Sequence, residues 1–245
     1  MLQESSIALD HEGTALQGVW VRPEGDRPAP AVLVFGDALG LRPLIVERVR
    51  GLAALGYSAV GADMYGAGLH FSQGLEAAGQ YLFFEENPDV LRSRVVAWFD
   101  HVAGLPSVDA DRIGAIGYCF GGRCVLELAR SGAPARSVVS FHGVLTTARP
   151  AEPGAVKPIV AAYTGAKDPY APPDHVRAFD DEMRAAGADH HLTVYADGYH
   201  AFTDPTPPTD VGPGLRHDPL LAALSWTGAT TLLHHTLHRG PRHVL

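Results

Sequence analysis

The segment Gly117-Tyr118-Cys119-Phe120-Gly121-Gly122 lies between an apolar run, Arg112 to Gly117, and a stretch with helix-forming residues at helical spacing, Phe120 to Arg130. It fits the G-x-S-x-G pattern of a nucleophile elbow, with cysteine in the place of serine. Such a turn is so tight that the residues two before and two after the nucleophile must be small, and both are glycine here. The junction would expose the sulfur of Cys119 at a helix N-terminus, where the macrodipole and free N–H groups favour negative charge. The competing reading is a small buried cysteine in a glycine-rich turn. Cys124, inside the following helix, reads as core, and a turn and helix between the two do not suit a disulfide.

A nucleophile of this kind needs a base and a residue to orient the base, and on an elbow fold they follow in the order nucleophile, acid, histidine. Tyr163-Thr164-Gly165-Ala166-Lys167-Asp168 leaves a strand for a turn, which makes Asp168 the acid; otherwise it is an ordinary turn aspartate before Pro169. His200 stands in Ala196-Asp197-Gly198-Tyr199-His200, after a late strand, and is the candidate base. The pair His190 and His191, and His234, His235 and His238, read as solvated or helix-surface residues. His234 and His238 have the spacing of a metal pair but no HExxH pattern or adjacent carboxylate, so neither a metal nor a cofactor is expected. A tetrahedral intermediate also needs two amide donors. Phe120 offers one N–H, and Ala38, in the loop Gly36 to Leu41, offers the second.

The elements that must position these residues are legible as alternating β-branched runs and amphipathic stretches, the pattern of a mostly parallel sheet flanked by helices. Strands are expected at 5–9, 16–22, Ala29 to Phe35, Ser58 to Ala62, Arg112 to Gly117, Ser137 to Phe141, Ile159 to Tyr163 and His191 to Tyr195. Helices are expected over Arg42 to Leu55, Pro88 to Val102, Phe120 to Arg130, Pro172 to Ala186 and Leu220 to Leu237. Residues 66–88 carry glycines and aromatics without a clear period and read as a loop or short-helix excursion over the sheet. With 245 residues, 46% of them apolar, the chain reads as a single α/β domain over 1–245. Its 27 acidic against 19 basic residues give a formal charge of −8, the wrong sign for a nucleic-acid binder. The N-terminus lacks a signal-peptide pattern and no run is long enough to span a membrane, so a cytoplasmic protein with no membrane partner is expected.

In this order the motifs resemble those of the dienelactone hydrolase family of α/β-hydrolases, from the strand at Ala29 to the helix near Leu237. They are VLVFGDALGL, GYSAVGADMYG, IGYCFGG, VSFHG, YTGAKDPYAPP and YADGYHAF. The resemblance implies an α/β-hydrolase fold and a Cys-Asp-His triad on Cys119, Asp168 and His200. The family carries a glutamate in the first loop that partners the resting thiol; Asp37 stands at that position, one methylene shorter. His142, ending the strand Ser137 to Phe141, is expected to line the pocket. Tyr65, with Phe71, Tyr81, Phe83 and Phe84, could supply aromatic walls or serve as core.

The leading reading is a thiol hydrolase of a small-molecule ester or lactone, through an acyl-cysteine intermediate. The alternative is a noncatalytic member of the fold that binds a ligand or protein, against which the intact nucleophile, acid, base and elbow glycines count. The oligomeric state, monomer or dimer, is left open. Dienelactone-cleaving members hold the substrate carboxylate with arginines, and this sequence has Gly66, Ala67 and Asp204 in those regions. Asp204 would repel an anionic substrate, so neutral esters or lactones are expected to turn over better.

Overall fold

The computed structural model describes residues 1–25 and 27–238. Strands β1 (Leu2–His11) and β2 (Thr14–Pro23) form a hairpin turned at Glu12 and Gly13, both at positive φ (53° and 77°), as a two-residue turn matching the twist of its strands requires. Beside them β3 (Ala29–Phe35), β4 (Ser58–Ala62), β5 (Val108–Tyr118), β6 (Ser137–Phe141), β7 (Ile159–Gly165) and β8 (His190–Tyr195) run parallel to one another. The order in the sheet is β1-β2-β4-β3-β5-β6-β7-β8, with β2 antiparallel to β4. Chain direction reverses its course across the sheet between β3 and β5, and the residues that follow these strands meet at one carboxyl edge, where sites on open α/β sheets form.

The central strands are buried on both faces, which is why they read as continuous apolar runs. On one face α1 (Pro43–Ala54) and α6 (Pro219–His238) pack Ile45, Val49, Leu52, Ala229 and Leu233 against the sheet. On the other, α3 (Pro88–Ala103), α4 (Phe120–Arg130) and α5 (Pro173–Ala185) contribute Trp98, Leu128, Phe179 and Met183. Every residue of α4 is buried, charged ones included. Such charges must be paired: Arg130 meets Glu127 at 3.1 Å and Glu182 at 2.8 Å, and Arg92 meets Glu127 at 2.5 Å. This belt ties α3 and α5 to the helix that carries the elbow.

Strand β1 runs over Leu2–His11 rather than 5–9, and two further stretches differ from expectation. Strand β5 begins at Val108 rather than Arg112, because Asp109, Ala110, Asp111 and Arg112 are exposed or half-buried, three of them charged, and break the apolar run. Within 66–88 lies a full helix, α2 (Gly74–Glu86). Its period is masked because only Ala77 and Phe84 are buried while Leu75, Leu82 and Phe83 face out. Its N-terminus is capped by Glu76, which accepts from the Ser72 and Gln73 N–H groups, and by Asp210, 135 residues downstream of Leu75, at 2.9 Å from Gly74 N and 2.8 Å from Leu75 N.

Candidate active site

Cys119 sits between β5 and α4 at φ 52°, ψ −111°, a left-handed conformation costing about 1–3 kcal/mol for a residue with a side chain. The surroundings enforce it. A Cβ on Gly117 would overlap the Gly121 carbonyl, and one on Gly121 would overlap the carbonyls of Phe35 and Gly36. The Cys119 N–H donates to the Phe141 carbonyl (3.0 Å), which fastens the turn to the end of β6. Cys119 is partly exposed and lines a cavity, while Cys124 is fully buried and its thiol is pushed up by desolvation.

His200 follows β8 and Asp168 follows β7, and both are buried. Nδ1 of His200 lies 2.8 Å from Asp168 Oδ2, and its ring lines the same cavity as Cys119. Burial alone would lower the pKa of His200, but negative charge at Cys119 and the hydrogen bond to Asp168 outweigh it and push it up to about 10. The other oxygen of Asp168 accepts the Tyr170 N–H (2.8 Å), and the Tyr170 ring meets His200 edge-on at 4.7 Å. His142 packs at 5.2 Å from the His200 ring, and its Nε2 lies 2.8 Å from Thr203 Oγ1. Desolvation, reinforced by the neighbouring His200, holds its pKa well below the ordinary value, so this imidazole is neutral.

The loop after β3 approaches the elbow from the opposite side. Its internal hydrogen bonds run from the Leu39 N–H to Asp37 Oδ1 and from the Gly40 N–H to the Asp37 carbonyl, both 3.0 Å, and do not use the Ala38 N–H. Phe120 is the first residue of α4, so its N–H has no intrahelical partner. Asp37 lines the cavity, but its carboxylate is turned to Arg42, at 2.5 Å from Nη2 and 3.0 Å from Nε, and forms no hydrogen bond with the Cys119 thiol. Its pKa is raised, burial outweighing the attraction of Arg42. Arg42 in turn lies 2.5 Å from Asp204 Oδ2. Asp204 is therefore paired rather than a free repelling charge: one oxygen meets Arg42 and the other accepts the Thr206 N–H (2.8 Å) in the loop that follows. Tyr65 is a second correction: it lies behind the cavity wall, its hydroxyl donating to the Ala38 carbonyl (2.8 Å).

Cys119, His200, His142 and Ala38 open onto a cavity of about 200 Å³ whose other walls are mainly apolar, among them Leu44, Ile45, Ala77, Tyr81, Val144 and Val211. Arg48 also lines it, donating to the Thr203 carbonyl (3.0 Å) with its guanidinium 5.9 Å from the Tyr118 ring, and no carboxylate pairs with it among the described residues. Sequence reasoning missed Arg42, Arg48 and Tyr170. Tyr170 alone had a local signal, as the residue two beyond an aspartate in a turn; Arg48 finds its partner Thr203, and Arg42 its second partner Asp204, more than a hundred residues away. Among the described residues no group of histidines, cysteines and carboxylates is placed to hold a metal, and no helix is long and apolar enough to cross a membrane.

A parallel sheet with helices on both faces, an elbow cysteine after a central strand and a histidine after the last one define an α/β-hydrolase. The chain belongs to the dienelactone hydrolase family, whose sequence profile matches residues 16–237. A protein of Escherichia coli strain K12 described as a putative carboxymethylenebutenolidase is 28% identical over 216 residues, 80% of this chain and 76% of its own length. The crystal structure of a dienelactone hydrolase-like promiscuous phosphotriesterase from metagenomic libraries is similar at 32% identity and a TM-score of 0.90, covering 96% of this chain and 98% of that one. The structure of m3DLH is similar at 33% identity and a TM-score of 0.89, covering 96% and 99%. By family the chain is a hydrolase of esters or lactones of small molecules.

Proposed function

We propose that the chain hydrolyses neutral esters or lactones through an acyl-cysteine intermediate. The observation that carries the reading is that Cys119 and His200 line one apolar cavity, with His200 bonded through Nδ1 to the buried Asp168. With its pKa pushed up to about 10, His200 holds the proton of the Cys119 thiol before substrate binds, and Asp168 fixes its tautomer and stabilises the imidazolium. The sulfur adds to the carbonyl carbon, and the developing oxyanion is met by the Phe120 and Ala38 N–H groups. Collapse of the tetrahedral intermediate breaks the ester C–O bond, and His200 hands its proton to the departing alkoxide. The neutral imidazole then takes a proton from water as the hydroxide attacks the thioester; the acid leaves and the thiolate with its imidazolium is restored.

Neutral substrates fit because Arg42 is already occupied by two carboxylates and most of the remaining wall is aliphatic or aromatic. The name of the E. coli relative adds weight to lactones. The test compares kcat/KM for a neutral aryl ester, a neutral lactone and a lactone bearing a carboxylate, with Cys119→Ala as the blank. The neutral compounds are expected to be turned over better, and the blank to be inactive. Preference for the acid would overturn the substrate reading and assign the clamp to Arg48; binding without turnover by the wild type would leave a ligand-binding module instead of an enzyme.

A further inference from the structure

We propose that Tyr65 is a positioning residue that sets the separation of the two oxyanion donors, a role that rests on the assignment of Cys119 as nucleophile and of Ala38 and Phe120 as donors. One oxyanion must lie about 3 Å from both N–H groups, which come from segments more than eighty residues apart in sequence. The sheet fixes their strands up to Phe35 and Gly117, which are paired in register. Beyond that point Tyr65 reaches both segments. Its hydroxyl donates to the Ala38 carbonyl at 2.8 Å, and its ring stacks on Phe120 at 5.9 Å with 22° between the planes. The peptide linking Ala38 to Leu39 is thus held at both ends, its carbonyl by Tyr65 and its N–H by Asp37.

Tyr65 is itself rigidly mounted. The buried Asp63 carboxylate accepts the N–H groups of Tyr65 (2.8 Å), Gly66 (2.9 Å), Gly68 (2.9 Å) and Gln17 (3.0 Å). The same loop grips the oxyanion loop again where the Phe71 N–H donates to the Leu39 carbonyl (2.9 Å). Burial raises the phenol pKa well above its ordinary value, so the hydroxyl remains a donor throughout the working pH range.

Tyr65→Phe keeps the ring stack and removes the one hydroxyl. Losing a whole oxyanion donor costs a factor of about 10²–10³ in kcat, and freeing Ala38 to move should cost about 10- to 50-fold, with KM nearly unchanged. Affinity for an aryl trifluoromethyl ketone, whose adduct on Cys119 carries an oxyanion, should fall in parallel with kcat. Alkylation of Cys119 by iodoacetamide, which needs the sulfur but no oxyanion, should keep its wild-type rate. The proposal is overturned if kcat stays within twofold of wild type while Cys119→Ala is inactive, or if alkylation slows as much as turnover, which would mark general disruption of the site. Activity in Cys119→Ala would instead bring down the underlying assignment.

Discussion

At the scale of single residues, His200 carries the perturbed chemistry on which the proposed reaction depends. Its raised pKa depends on the sulfur beside it, so Cys119→Ala should move the His200 titration midpoint, followed by imidazole NMR, from about 10 down toward the ordinary value of 6.5. An unmoved midpoint would show that the two side chains are not coupled. Because the folded value lies above the unfolded one, the ring's stabilising contribution is fully present below about pH 6.5 and is lost as pH rises through about 10. Asp168→Asn should leave the fold intact and lower kcat about 10⁴-fold, since the amide no longer holds the productive tautomer; a loss of only a few-fold would displace Asp168 from the role given to it. These three residues were legible because each stands in a short local pattern at the end of a strand. Asp37 was misread in its contacts because no local pattern announces that Arg42, five residues on, will take its carboxylate.

The elements exist to bring those strand ends together, and a tight constraint among them is the crossing of the elbow with β3. Gly121→Ala puts a methyl group into the Phe35 carbonyl, backbone that cannot yield. We expect a loss of several kcal/mol, in the class of overpacked or strained core variants, measured by urea unfolding. A near-neutral variant would mean that the turn can open. Helix α2 is a different kind of element, since it covers the cavity and is fastened at its N-terminus by Asp210 from the loop after His200. Asp210→Asn should speed hydrogen exchange at Gly74 and Leu75 and raise KM more than it lowers kcat. The strands and five of the helices were legible because their burial follows period 2, continuous apolar runs or one clear helical face. Helix α2 was not, because a helix over a cavity has apolar residues on both sides.

Across the whole molecule, the oxyanion loop and the histidine loop come from opposite ends of the chain and are joined by Arg42, which bridges Asp37 and Asp204, 162 residues from itself. Arg42→Met would strand two carboxylates in a buried setting and should destabilise the protein by about 3–5 kcal/mol. Combining it with Asp37→Asn and Asp204→Asn should recover a large part of that loss, as read by denaturant unfolding of the series. No sequence pattern announced this clasp, because it is created only when the sheet brings distant loops together. The central claim is acyl transfer through Cys119, and the most direct test is to quench the reaction with a slowly deacylated aryl ester and locate the acyl group by peptide mass spectrometry. The account predicts one acyl group on Cys119 in the wild type, accumulating in a burst, with neither adduct nor turnover in Cys119→Ala. An acyl group on another residue, or undiminished turnover by Cys119→Ala, would contradict it.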